Sequence, residues 1–353
     1  MAYTDIDDPS EHFQTALWSG NGPSTQSITF GGNSNLKPDW TWSYGRGVAF
    51  GSRVQDSSRG IGTSGKLLSP NLTNAESDIN DYMMTYDTDG FSVGSGDAGF
   101  NASNDTYATW AWKANGGTTS SNTNGSITST VQANQDAGFS IVTYTGTGSA
   151  GTVGHGLGVA PDTIITKNRD TTADWYVKHH KHTNNYGFIT LNNEAYFINN
   201  DSVWTQTDPT STVYSIGSAS AVSQNNTKVV AYCFAEKQGY SKFGIFYGNQ
   251  NANGPFAYTG FKPAFILVKS NSNYKYWYIY DNQRDGYNPT IRGLPPSVAG
   301  TEAASGIDVD FLSNGFKMRA ASTTVNYPNT IHYYWAFAEN PFVSSSGIPT
   351  TAR

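Results

Sequence analysis

An all-β fold, with three tandem β-sandwich (jelly-roll-like) repeats and a short N-terminal arm, is what this chain of 353 residues predicts. Three observations lead there. Charged residues are 14% of the chain, against roughly 25% in an ordinary soluble domain. The polar surface is therefore mainly Asn, Ser, Thr, Gln and Gly, which suit turns and disfavour helix interiors. Aromatics also reach 14%, with 9 Trp, 22 Tyr and 18 Phe, enough apolar area to form real cores. Finally, five anchors recur three times in the same order, as tandem repeats require.

The first anchor is an aromatic before a glycine turn, at Trp18-Ser-Gly-Asn-Gly22, Tyr144-Thr-Gly-Thr-Gly148 and Phe246-Tyr-Gly-Asn249. The second is a proline opening a strand, at Pro38, Pro161 and Pro263. The third is a Trp strand: Trp175 and Trp277 each stand 14 residues after their proline, and the first repeat has a degraded counterpart around Val48-Ala-Phe50. Eighteen residues after the proline come Asp56-Ser-Ser-Arg59 and Asp281-Asn-Gln-Arg284, with His179-His-Lys-His182 in the second repeat. The fourth is a turn into a strand, Asp89-Gly-Phe91-Ser-Val93 and Asn314-Gly-Phe316-Lys-Met318, reduced to Tyr214-Ser-Ile216 in the second repeat. Asp-Gly and Asn-Gly ahead of alternating apolar residues signal a hairpin. The fifth closes each repeat: Trp110-Ala-Trp112, Tyr232-Cys-Phe234 and Trp335-Ala-Phe337. A strand's period of two puts both aromatics on one face and the small residue on the other. Cys233 takes the slot of Ala111 and Ala336, so it reads as a small structural residue.

These anchors divide the chain. Residues 1–15 form an N-terminal docking arm, 16–114 the first repeat, 115–138 a Ser/Thr/Asn/Gly-rich connector, 139–238 the second repeat, 239–343 the third and 344–353 an extended tail. In the arm, Asp5, Asp7 and Asp8 make an acidic strip suited to basic groups on a partner, and Phe13 supplies an apolar anchor. Asp8-Pro9-Ser10-Glu11 carries helix-start signals: an N-cap, a proline at the first position and an acid at the third.

Several classes are disfavoured. The net charge of −6 has no basic face for nucleic acid. No stretch approaches the roughly 18 apolar residues of a membrane span. The acidic N-terminus is not a secretory signal, so the sites at Asn71, Asn101 and Asn225 that fit the glycosylation pattern carry little meaning. One cysteine excludes an internal disulfide framework. Asp56 with Arg59 and Asp281 with Arg284 read first as loop-closing ion pairs, and more sharply as ligand-contacting loops. On a strand, His180 and His182 share a face while His179 points away. That makes His180 and His182 the pair able to bind a metal, but an exposed strand end is the preferred reading. Val153-Gly-His155-Gly-Leu-Gly158 is a tight loop, not a dinucleotide fingerprint. Asp87, Asp89, Asp97 and Asp105 offer oxygen atoms to calcium without fitting an EF-hand. Nucleophile elbow, P-loop and spaced acid pair are all missing. The expectation is a protein that is not an enzyme and needs no cofactor.

Segments along nearly the whole chain resemble a family of proteins encoded by marine tailed phages, commonly those of cyanobacteria and other ocean bacteria. They are Ala2-Tyr-Thr-Asp-Ile-Asp-Asp-Pro-Ser10, Trp112-Lys-Ala-Asn-Gly-Gly117, Asp136-Ala-Gly-Phe-Ser-Ile-Val-Thr-Tyr-Thr145, Val153-Gly-His-Gly-Leu-Gly-Val-Ala-Pro161, Val230-Ala-Tyr-Cys-Phe-Ala-Glu236, Gly239-Tyr-Ser-Lys-Phe243 and Ala338-Glu-Asn-Pro-Phe342. The resemblance implies a virion structural protein, tail-fibre-like or lectin-like (concanavalin-type). Its expected role is a tail-associated fibre or receptor-binding appendage recognising host surface glycans. A capsid decoration or vertex protein and a polysaccharide depolymerase are the alternatives. Expected partners are other virion proteins, further copies of the chain (a trimer, by analogy with phage fibres) and host carbohydrate, with no nucleic acid and no membrane insertion. The protein would be made in the host cytoplasm and carried on the tail or capsid surface. The resemblance carries over no catalytic residue, and the His179–His182 cluster is not part of its pattern.

Overall fold

Large and small residues alternate along each closing strand, so one face of every main sheet is committed to aromatic packing, and that face joins the three repeats. The computed structural model describes residues 3–62, 65–78, 84–94, 98–182, 184, 186–272, 274–303 and 306–351. Strands take up 43% and helix 3%, so the chain is all-β, as expected.

The first repeat contains β1 (Phe13–Ser19), β2 (Gln26–Ile28), β3 (Trp40–Gly45), β4 (Ser52–Asp56), β5 (Lys66–Leu67), β6 (Ser77–Asp78), β7 (Met84–Asp87), β8 (Gly90–Val93) and β9 (Thr106–Trp112). Next come β10 (Ser120–Asn122) and β11 (Ser129–Asn134). The second repeat holds β12 (Phe139–Thr145), β13 (Gly151–Gly154), β14 (Thr163–Asn168), β15 (Tyr176–His179), β16 (Gly187–Thr190), β17 (Ile198–Asn199), β18 (Val213–Ile216) and β19 (Lys228–Phe234). The third holds β20 (Ser241–Tyr247), β21 (Phe256–Tyr258), β22 (Phe261–Ser270), β23 (Trp277–Asp281), β24 (Val309–Leu312), β25 (Gly315–Met318) and β26 (Ile331–Pro341).

The main sheets share one strand order. It is β1-β9-β3-β4 in the first repeat, β12-β19-β14-β15 within the second repeat's sheet, and β20-β26-β22-β23 in the third. Each repeat adds a smaller sheet: β2-β8-β7, β13-β18 and β21-β25-β24. The first two repeats close local cores between their two sheets, around Phe91 and Ala111 in one and around Tyr214 and Cys233 in the other. Cys233 is fully buried in the slot its alanine counterparts fill.

The opposite faces meet in one aromatic hub that draws on all three repeats. Trp40 lies 4.7 Å from Tyr232 and 5.8 Å from Phe234, Trp112 lies 5.4 Å from Phe337, and Phe234 lies 5.9 Å from Phe337. Trp112, Phe234 and Phe337 therefore occupy corresponding buried places, as their sequence spacing requires.

The structure corrects several expectations. The first repeat's counterpart to the Trp strand is β4, not Val48-Ala-Phe50, and Ser52 stands where the others have Trp. The connector contributes two strands: β10 and β11 pair antiparallel onto β12, giving the second repeat's main sheet eight strands. Buried Gln132 in β11 bonds Ser57 and Ser58 of the first repeat, and its carbonyl accepts from the amides of Asn115 and Gly117. Phe13 is no docking anchor. It opens β1, stacks on Phe337 at 5.4 Å and is 3% exposed, so its apolar area serves the hub. Asp8 caps a single 3-10 turn, Pro9–Glu11, and also accepts from Ser34 Oγ at 2.8 Å. Asp7 accepts from the backbone amide of Ser345 at 2.6 Å, tying the N-terminal segment to the tail. Asp5 is exposed and, among the described residues, has no hydrogen bond or ion pair.

Candidate functional site

Counting from the anchor prolines puts equivalent residues at three seams between repeats. Six residues after the proline stand Tyr44, Lys167 and Lys269. Each reaches a backbone carbonyl of the neighbouring repeat: Tyr44 Oη to Val298, Lys167 Nζ to Thr73, Lys269 Nζ to Glu194. Burial lowers the Lys167 amine to about 8 and the Lys269 amine to about 7. Fourteen residues after the proline, Ser52 donates to Pro296 O, Trp175 Nε1 to Ser69 O and Trp277 Nε1 to Thr190 O. The closing strands follow the same rotation. Trp110 Nε1 donates to Asp281 at 3.0 Å, Tyr232 Oη to Asp56 at 2.7 Å, and Trp335 Nε1 to Thr163 Oγ1 at 3.0 Å. The first repeat grips the third, the third grips the second, and the second grips the first. One chain thus closes a pseudo-threefold ring.

Asp56 with Arg59 and Asp281 with Arg284 lie inside this ring, with side chains closed off from solvent. Both pairs are fully buried, with Nε–Oδ2 distances of 2.5 and 2.6 Å. Each aspartate also accepts its arginine's backbone amide. Glu76 and Glu302, which the repeat pattern did not single out, bond the far ends of the same arginines at 2.8 and 3.0 Å. Each glutamate then takes an arginine from the neighbouring repeat, Arg169 on Glu76 at 2.7 Å and Arg46 on Glu302 at 3.0 Å. Arg46 and Arg169 both stand eight residues after their proline, which was the legible signal. Burial opposes the charge on Arg59, but Asp56, Tyr232 and Glu76 outweigh it and raise the group well above its ordinary value.

The histidines are arranged differently from the strand expectation. β15 ends at His179, and the following turn brings His182 back beside it, with ring centroids 5.9 Å apart. His180 turns outward while His182 packs on Phe197 and Tyr333, and both line one cavity. His180 Nδ1 lies 2.8 Å from Asp162 and its Nε2 lies 2.6 Å from the Phe243 carbonyl. Asp162, His180 and Glu236 do bring ligand atoms within 4.8 Å of one another. Glu236 is already committed to Lys242 at 2.6 Å and to the Phe243 amide at 2.9 Å, so the group is a hydrogen-bonded link between repeats, not a metal cage. The aspartates able to offer oxygen atoms to calcium also take part in local hydrogen bonds. Asp87 accepts from Ser92 Oγ at 2.6 Å and Asp89 from the Leu36 amide at 3.1 Å, and Asp97 lies outside the described residues. His155 is buried in its glycine loop with Nε2 3.2 Å from Thr210 O, and burial lowers it to about 4.

One open surface groove, of about 390 Å³, lies over the link between the second and third repeats. Its walls include Tyr3, Glu236, Lys237, Gln238, Lys242 and Tyr258. Tyr3 is 43% and Tyr258 53% exposed, so both rings present surface to the groove. Phe256 and Tyr258 share the outward face of β21 around buried Ala257, an alternation that could have been read from Phe-Ala-Tyr. Thr4 Oγ1 donates to Gln238 O at 2.9 Å and fixes the N-terminal segment beside the groove. A Cβ on Gly239, which has φ +79°, would meet Thr4 Oγ1 at 2.5 Å, so the link passes close only because that residue is glycine.

Fold and site together define a single-chain β protein of three interlocked sandwich repeats, with ion pairs inside the ring and an aromatic-walled groove outside it. The chain belongs to the family described as Domain of unknown function (DUF7483), whose profile matches residues 8–341 and so spans all three repeats. Neither the curated proteins nor the solved structures gave a match.

Proposed function

We propose that the chain is a structural protein of a tailed-phage particle, carried as a tail-associated appendage that recognises host surface glycans. The observation that carries this reading is the groove at Tyr3 and Tyr258. Two exposed phenol rings flank a polar floor, and the apolar faces of sugar rings stack on such rings while their hydroxyls bond polar groups. The charge-poor surface and the segments resembling marine-phage virion proteins support the same reading. The role is binding without catalysis, since Glu236, the carboxylate in the groove, is held by Lys242 and the Phe243 amide. Other virion proteins are its partners, and further copies of the chain assemble on the particle through outer surfaces, because the hub is closed by the three repeats of one chain. Purified host envelope polysaccharide should bind the chain, and Tyr258→Ala should weaken that binding about tenfold, in line with loss of a hot-spot aromatic. Antibody labelling of intact particles should fall on the tail. Label spread over the capsid would transfer the protein to a decoration role, and unlabelled particles would overturn the proposal.

A further inference from the structure

Two seams of the ring are fastened by buried ion pairs, and the third by two imidazoles. His179 stands where the other repeats have Asp56 and Asp281, and His182 where they have Arg59 and Arg284. Arg46 and Arg169 are likewise replaced at this seam by Asn271, which accepts from the Phe197 amide at 2.9 Å. We propose that the seam between the second and third repeats is an acid-operated latch: protonation of His179 and His182 releases the third repeat from the second while the two ion-paired seams stay closed.

The surroundings of the two rings suit only their neutral forms. His179 lies 4.8 Å from Trp335 and 5.2 Å from Tyr333, both on β26 of the third repeat. His182 lies 4.4 Å from Phe197 and 4.9 Å from Tyr333. His179 Nε2 and both ring nitrogens of His182 are buried and make no hydrogen bond of normal geometry among the described residues, although the Tyr334 and Gly187 backbones lie beside the rings. The titratable groups that oppose a charge on them are basic: Lys178 and His180 for His182, and His182, His180 and Lys181 for His179. Asp162 and Asp208 line the adjoining cavity of about 420 Å³, but Asp162 is engaged by His180 and Asp208 acts on Lys178. From the third repeat, Lys269 pairs in register with Tyr333 and directs its amine to the carbonyls of Glu194 and Lys275. Among the described residues, neither ring makes a salt bridge. A positive charge placed on either ring is therefore stripped of water and set beside like charge, which favours separation of the seam.

The pH window follows from the direction of these effects. Burial first, then the neighbouring cations, hold His179 well below its ordinary value and bring His182 to about 3. Released into water, both return to about 6.5. The closed seam is therefore fully favoured above pH 6.5 and loses stability as pH falls from there towards 3. At pH 5, His182 alone shifts the balance towards the open seam by about 30-fold. The ion-paired seams behave otherwise. Burial raises the Glu76 carboxyl, but Arg169 and Arg59 outweigh it and hold the group below its ordinary value, so that network keeps its charge into acid.

Hydrogen exchange of the full-length protein, read by mass spectrometry and corrected for intrinsic rates, tests the latch. Between pH 7 and 5, peptides of β15 and β16 and the Trp335 segment of β26 should gain exchange more than tenfold, while those around Asp56 and Asp281 change less than twofold. His179→Asn with His182→Gln should abolish that difference. His332→Asn should leave it intact, because His332 stacks on Phe246 inside the third repeat. Equal acid response at all three seams of the native protein would overturn the proposal, as would an unchanged response when either His182→Gln alone or the double variant is folded at pH 7.

Discussion

Replacing Asp281 by alanine removes the acceptor of four hydrogen bonds at once. Oδ1 accepts from the amides of Gln283 and Arg284, and Oδ2 from Arg284 Nε and Trp110 Nε1. The Arg284 guanidinium stays buried, held by Glu302 at 3.0 Å and by the Ile279 carbonyl at 2.9 Å. Removing one partner of a buried pair costs about 3–5 kcal/mol, and an orphaned indole N–H adds about 1–3. The two losses share one network and do not add in full, and Glu302 keeps part of the compensation. The expected loss is about 4 kcal/mol, a large share of the roughly 5–15 kcal/mol by which folded proteins are stable. Urea denaturation followed by tryptophan fluorescence would read it as a lowered midpoint. Asp281→Ala combined with Arg284→Met should recover more than half of the loss, because no uncompensated charge is then left in the seam. A single-variant loss under about 1 kcal/mol would refute the reasoning, as would a double variant less stable than the single one, since a buried charge defect is what makes the loss large.

Other perturbations separate the remaining assignments. Phe13→Ala should destabilise by about 3–5 kcal/mol in the same assay, as truncation of a buried aromatic does, whereas Asp5→Asn should leave the midpoint unmoved. Cys233→Ala should cost less than about 1.5 kcal/mol, because its slot accepts alanine in both other repeats, and a thiol reagent should label Cys233 only after unfolding, since burial raises its thiol and closes access. Stability should be level just above pH 7 and fall between about pH 6.5 and 4, because His155 and His332 are both lowered to about 4 by burial and gain protons on unfolding. A melting temperature unchanged across that window would contradict their neutral burial.

The sequence disclosed the repeats because the hub conserves residue size at each closing strand: Trp112, Phe234 and Phe337 all answer one steric demand. The seams were harder to read, because equivalence there is one of position and not of residue type. Tyr44, Lys167 and Lys269 do the same job with a phenol and two amines, and nothing local says that their partners lie a repeat away. β10 and β11 were hidden by composition, since edge strands carrying Ser, Thr, Asn and Gln look like loop until a sheet edge receives them. Phe13 reads as part of the arm because the aromatic-glycine anchor at Trp18 lies at the far end of the same strand, and nothing local shows where that strand begins. The groove is not legible in the sequence, because Tyr3 and Tyr258 stand far apart along the chain and the contact of Thr4 with Gln238 sets the N-terminal segment beside it.

A ring of three identical subunits obliges every seam to carry the same residues, so any mutation is made three times over. Here the three seams are encoded separately along one polypeptide. Asp56 and Asp281 keep one chemistry while His179 departs from it, and Ser52 departs from the tryptophans at another position. Covalent fusion converts a symmetric assembly into one whose faces can be specialised individually. It also fixes stoichiometry: the weakest seam opens with its partner still tethered, so closing again is a first-order event independent of protein concentration.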